Sequence, residues 1–178
     1  MDAATCHLDS DQMERTLQRL NSELAASLGQ DEQPVFLGIR SRGLPLAERL
    51  AAKLQNALHR PIPLGALDIT FYRDDLAEKE GVPIVRPTEI PFTLKGRTVV
   101  LVDDVLYTGR TVRSALEALL DHGRPRRVLL LVLVDRGGRE LPIQADLAGL
   151  TLPIGPNERI SVKVKEIDGE DGVFVESL

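Results

Sequence analysis

The chain has 178 residues, 43% of them hydrophobic, with 27 acidic and 22 basic side chains for a net charge of −5. That length suits one domain with a substantial core, and the acidic balance argues against a generic nucleic-acid binder while leaving room for a local basic face. A single cysteine, Cys6, excludes a disulfide framework or a cysteine metal cluster, and the longest apolar run, residues 128–134, is too short to cross a bilayer.

The N-terminal MDAATCHLDSDQ lacks the basic and apolar regions of a signal peptide, so a cytoplasmic, membrane-free protein is expected. Residues 9–28 read as an amphipathic helix. Met13, Leu17, Leu20, Leu24 and Leu28 fall on one face, Asp9 or Ser10 caps the start, and Gly29 suits the stop. PVFLGI (34–39) is a short buried strand. RSRG follows, and a second helix begins near Pro45 with Leu46, Leu50, Leu54 and Leu58 in register. PLGALDITFY (63–72) predicts a strand, and residues 73–97, with prolines at 83, 87 and 91, a long loop or projecting arm. TVVLV (98–102) is the next strand. Residues 111–122 form a helix with Val112, Ala115, Leu116 and Leu119 on one face, ended by Gly123, and RVLLLVLV (127–134) is a further buried strand. Ile160, Val162, Val164, then DGEDG, then Val173 and Val175 predict a terminal hairpin. Strands alternating with helices indicate an α/β domain with a mainly parallel sheet.

Ligands in such sheets sit beyond the carboxyl ends of the strands. Three strands end there in chemically loaded turns: RSRG (40–43), DDVLYTGRT (103–111) and DRGGRE (135–140). The YTGRT turn opens a helix, so its first N–H groups lack intrahelical partners and form an anion site, with Gly109 allowing close approach. A plain capped helix start has the same residues. It is not a nucleoside-triphosphatase P-loop, because no G-x-x-x-x-G-K-[ST] occurs. Asp103 and Asp104 suit the hydroxyls of a sugar phosphate held by that turn. Indirect metal ligands, solvated loop acids, or the acidic Mg²⁺ pocket of a signalling receiver domain are the alternatives. Both reach one ligand only if the strand has ended by 103. Arg40 and Arg42 around Ser41 suit a second phosphate-bearing group such as pyrophosphate, or else form a solvated basic loop. His7, His59 and His122 have no ligand spacing.

The strand–DD–VLYTGRT–helix segment resembles the phosphoribosyl pyrophosphate (PRPP) signature of type I phosphoribosyltransferases. LDITFYRDDL (67–76), VDDVLYTGRTVR (102–113), GRPRRV (123–128) and LVDRGGRELPI (133–143) are together similar to the PyrR family, nearly end to end. The resemblance implies a single phosphoribosyltransferase domain over 1–178, with a parallel central sheet flanked by helices, a small hood from the later chain and a projecting arm over about 73–97. Homodimers or homotetramers are usual. It also implies uracil phosphoribosyltransferase activity (uracil plus PRPP giving UMP plus pyrophosphate) with Mg²⁺ held mainly through PRPP and no direct protein metal ligand. In that scheme Asp103 and Asp104 take the ribose. Val105, Leu106, Tyr107, Thr108, Gly109, Arg110 and Thr111 form the 5′-phosphate loop, and Arg40, Ser41 and Arg42 face pyrophosphate. Arg73 lies on a segment that closes over the site, and Val134, Asp135 and Arg136 lie beside the base.

The family also implies pyrimidine-gene regulation through binding of operon leader RNA governed by UMP or UTP, with Arg15, Arg19 and Arg139 as contacts and further arginines at 124, 126 and 127. Departures occur on this surface. Gln18 and Ser22 stand where Thr and His are usual, Gly138 and Gln144 replace a His and an Arg, and Leu150 replaces a Lys. Fewer phosphate contacts imply weaker RNA affinity, with a phosphoribosyltransferase lacking tight RNA binding as the alternative.

Overall fold

The computed structural model describes residues 4–74 and 85–178; residues 75–84 of the expected arm lie outside the described residues. Helix α1 (Ser10–Ser27) starts where the capping chemistry places it. The Gln12 N–H donates to the Asp9 carboxylate (2.8 Å) while the Asp9 N–H donates to the Gln12 side chain (2.9 Å). Strand β2 (Pro34–Ile39) is buried along its whole length, as an interior parallel strand should be. Helix α2 (Gly43–Leu58) begins two residues before Pro45 because its first turn lies directly on the next strand. A Cβ on Gly43 would sit 2.5 Å from the Val102 carbonyl oxygen.

Strand β3 (Leu64–Leu67) flanks β2, and β4 (Thr98–Leu106) lies between β2 and β5 (Arg127–Asp135). With β6 (Leu147–Thr151) beyond β5, the sheet order is β3-β2-β4-β5-β6, parallel throughout. Strand alternation divides the core. Val100, Val102, Leu131 and Leu133 pack with Leu17, Leu20 and Leu24 of α1 and Leu46, Leu50 and Leu54 of α2. Val99, Leu101, Leu130 and Val132 pack with Val112, Ala115 and Leu119 of α3 (Arg110–Asp121). Each fully buried Leu or Val contributes about 1.5–3 kcal/mol, so this two-sided burial is what fixes the strand ends that carry the site.

Three expectations are corrected. The strand predicted over 63–72 ends at Leu67, because the Asp68 carboxylate accepts the Thr70 N–H (2.7 Å) and turns the chain into a 3₁₀ turn, Thr70–Tyr72. The described half of the arm, 85–97, does not project. Glu89 exchanges two backbone hydrogen bonds with Ala66 of β3 (2.9 and 2.8 Å), and Leu94 is fully buried. The hood comes from both halves of the chain. The expected hairpin of β7 (Glu158–Lys163) and β8 (Gly172–Ser177) forms, with α4 (Lys165–Asp168) in its connection, and β1 (Thr5–Leu8) adds antiparallel to β8. Neither β1 nor β6 carries a local pattern strong enough to announce a strand; each exists because a distant partner offers an edge. Among the described residues, no helix is long and apolar enough to cross a membrane.

Candidate active site

Pairing between β2 and β4 stops at Gly38 opposite Val102, whereas β4 runs on beside β5 as far as Leu106. The chain leaving β2 swings away through Arg40, Ser41 and Arg42, whose first peptide bond is cis. A 460 Å³ cavity opens between the two. This corrects the premise that the β4 strand must end by residue 103 for both carboxylates to reach one ligand. The strand continues, and it is the departure of β2 that gives Asp103 and Asp104 a shared cavity. The N–H of Asp104 donates to the Asp103 carboxylate and that of Val105 to Asp104, both at 2.9 Å.

Asp103 is buried, and burial together with the adjacent Asp104 carboxylate pushes its carboxyl well above the usual range. Arg40, Ser41, Arg42, Arg73, Val105 and Thr111 share the cavity wall. Five further wall residues lie outside the expected set: Ile39, Asp68, Ile69, Thr70 and Arg86. Burial opposes the charge on Asp68. Hydrogen bonds from Thr70 and the Arg86 N–H (2.6 Å), with the nearby Arg40 guanidinium, outweigh it and hold the carboxyl below its ordinary value. The D-x-T spelling of that turn is a local signal set among the apolar residues of 63–72; Arg86 carries none.

Thr111 and Arg73 also border a smaller 170 Å³ cavity with Asp74, Thr108, Arg110 and Ser114, so the carboxylate pair and the start of α3 face neighbouring cavities with two wall residues in common. Gly109 caps α3 with φ +91°, a conformation that L side chains rarely adopt, and so turns the first N–H groups of the helix outward. A carboxylate pair with one buried and one half-buried member, beside a helix start built to take an anion, fits a phosphorylated sugar. Among the described residues, no cluster of three or more His, Cys, Asp or Glu forms a metal cage.

A family model described as the phosphoribosyl transferase domain matches residues 8–166. Curated relatives called bifunctional protein PyrR are 51% identical in Pelotomaculum thermopropionicum, over 94% of this chain and 93% of that one. In Thermus aquaticus the identity is 52%, over 93% and 92%. The chain belongs to the PyrR family. Its fold is that of the type I phosphoribosyltransferases. The solved hypoxanthine phosphoribosyltransferase of Trypanosoma cruzi superposes with a TM-score of 0.71 at 16% identity, over 98% of this chain and 97% of that one, a likeness of fold.

In this PyrR family member the remaining candidates lie apart from the two cavities. Leu106 and Val134 are core side chains, leaving only their backbone to face a ligand. Tyr107 is half exposed, and the Arg136 guanidinium stacks 3.8 Å from its ring centroid while donating to the Glu158 carbonyl of the hood (3.1 Å). Arg139 is committed to its own loop, donating to Asp135 (2.6 Å), the Tyr107 carbonyl (3.0 Å) and the Ile143 carbonyl (2.7 Å). Despite burial, Arg139 and the Gly137 N–H hold the Asp135 carboxyl below its usual value. On α1, Arg19 donates to Glu23 and to the Gly149 carbonyl on β6, whereas Arg15 is exposed. Arg127 is paired with Glu32, and Arg124 and Arg126 are exposed.

Proposed function

We propose that this protein makes UMP and pyrophosphate from uracil and PRPP, and uses the same nucleotide site to govern binding of pyrimidine-operon leader RNA. The observation that carries the enzymatic reading is that Arg73 and Thr111 border both the Asp103–Asp104 cavity and the cavity at the start of α3. The N–H groups and hydroxyls at Thr108, Gly109, Arg110 and Thr111 hold the 5′-phosphate, and Asp103 and Asp104 accept hydrogen bonds from the ribose hydroxyls. Arg40 and Arg42 neutralise pyrophosphate as the bond from C1′ to its oxygen breaks and N1 of uracil bonds to C1′, the N1 proton passing to the departing pyrophosphate or to water. Asp104 stabilises the positive charge that develops on the ribose. Arg73 and Arg86 bring further positive charge to the wall, and the backbone at 134–136 reads the polar edge of the base.

The donor set suits Mg²⁺ held by PRPP oxygens and water, with the two carboxylates receiving hydrogen bonds from its waters, because this hard cation keeps much of its hydration shell. When bound, it supplies charge neutralisation at the leaving group. Incubating the protein with PRPP, Mg²⁺ and a panel of bases tests the reading. UMP formation from uracil with little product from hypoxanthine or guanine is expected, and a protein that makes no UMP refutes it.

A second reading, a phosphoribosyltransferase with weakened RNA binding, is favoured by the internal engagement of Arg19 and Arg139. Gel-shift titration with the pyrimidine leader transcripts, at two salt concentrations with and without UMP, separates the two. Weak, UMP-enhanced binding with a shallow salt slope is expected, because few phosphates are contacted. Loss of the UMP effect would leave the enzyme alone.

A further inference from the structure

The tail carries the acidic segment K-E-I-D-G-E-D, which overlaps the DGEDG bend of the hairpin. In the folded chain it carries two arginine clamps. Arg49 of α2 forks onto Glu166 (Nε 2.8 Å, Nη2 2.6 Å) and onto Asp171 (Nη1 3.0 Å, Nη2 2.8 Å), fastening the hood to the body of the protein. Two turns earlier, at the end of the pyrophosphate-side loop, Arg42 donates from Nε (3.1 Å) and Nη2 (2.7 Å) to the two oxygens of Asp168. That carboxylate is itself fixed by the Val164 N–H (2.8 Å). Arg42 also lines the catalytic cavity with Asp104.

A guanidinium has five N–H donors in a planar fork. Asp168 occupies the Nε/Nη2 edge, and Nη1 makes no hydrogen bond among the described residues. One planar group is thereby gripped on one edge, and its other edge is left to take a second anion. We propose that Asp168 is a positioning residue for the reaction: it grips one edge of Arg42, aims the other at the departing pyrophosphate, and so links the hood to the leaving-group loop. This inference rests on the function proposed above.

The test measures binding of PRPP and of pyrophosphate, each with Mg²⁺, by calorimetry on the full chain, alongside steady-state kinetics. Asp168→Asn is expected to weaken pyrophosphate binding and raise the PRPP KM about tenfold, the scale of one misaimed charge-assisted fork. The uracil KM should not move. Arg42→Lys, which keeps the charge and loses the fork, should reproduce that loss. In an Arg42→Ala background Asp168→Asn should add nothing further. Glu166→Gln, which breaks the neighbouring clamp, should lower Tm and leave pyrophosphate binding intact. Wild-type pyrophosphate affinity in Arg42→Lys, or additive losses in the double variant, would overturn the proposal; the Arg42→Lys result decides it even if Asp168→Asn folds poorly. A wild-type protein that binds no PRPP would instead refute the functional reading itself.

Discussion

Asp103→Asn is expected to make the protein more stable and less active. Asp103 is buried beside Asp104, and folding moves its carboxyl well above the unfolded value of 3.8. The folded state therefore holds a proton more tightly than the unfolded one. The sign follows: this residue costs nothing below its unfolded pKa, and an increasing penalty appears as pH rises towards the folded value. An amide keeps the oxygen that accepts the Asp104 N–H, and it can donate to the Asp104 carboxylate where the acid repels it. Each pKa unit removed corresponds to about 1.4 kcal/mol, and for a chain of this size each kcal/mol raises Tm by about 2–4 °C. Melting curves across a pH series should show the variant above wild type at neutral pH and merging with it in acid. The amide is a poorer acceptor for a ribose hydroxyl, and its N–H side competes with that hydroxyl for the neighbouring Asp104 carboxylate that faces the transition state. kcat/KM for PRPP should fall by about 10²–10³, the loss typical of one preorganised electrostatic group. A variant both less stable and equally active would show that the pair serves the fold rather than the ligand.

At Gly109 the fault lies in the backbone. Its φ of +91° is strained for any residue with a Cβ, and in Gly109→Ala that atom would also lie 3.4 Å from the Ile143 and Leu141 side chains. The local cost is about 1–2 kcal/mol, which the fold can absorb. Relaxing that strain rotates the peptide at the start of α3, so N–H groups that should converge on one phosphate diverge. PRPP and UMP affinities should each fall about a hundredfold, the price of misaiming two or three charge-assisted hydrogen bonds. Uridine, which has no phosphate, should bind as weakly as it does to wild type. Equal losses for uridine and UMP would count against a phosphate role for this turn.

Both predictions concern a stretch whose meaning was plain in the sequence, and the reasons are local. A strand, two acids and a Thr-Gly-Arg-Thr helix start are neighbours in the chain, so their chemistry can be read without knowing the fold. Asp9 and Gln12 likewise announce α1 by themselves. What stayed hidden depends on distant partners. Strand β6 is short, glycine-containing and half buried, and it exists because β5 offers an edge. The cavity depends on where β2 stops pairing with β4, a property of neither strand alone. Asp68 and Arg86, 18 residues apart, meet at the wall through a single hydrogen bond. Arg139 has the composition of a nucleic-acid contact, yet three acceptors of its own loop engage its guanidinium.

The pairing of Thr5 with Val175 has a consequence for biosynthesis. A polypeptide grows from its amino end, so β1 leaves the ribosome almost a whole chain ahead of the strand that will hold it. Contacts of such sequence separation form late and slowly. Until β8 arrives, β1 presents an unpaired edge to every neighbouring nascent chain, a recognised route to aggregation. The central sheet can assemble in the meantime, but Asp168 and its grip on Arg42 are added only when the tail emerges. A prematurely terminated product would contain the strand-end motifs without the fastening that aligns them, and would present its exposed edge to the cell's proteases.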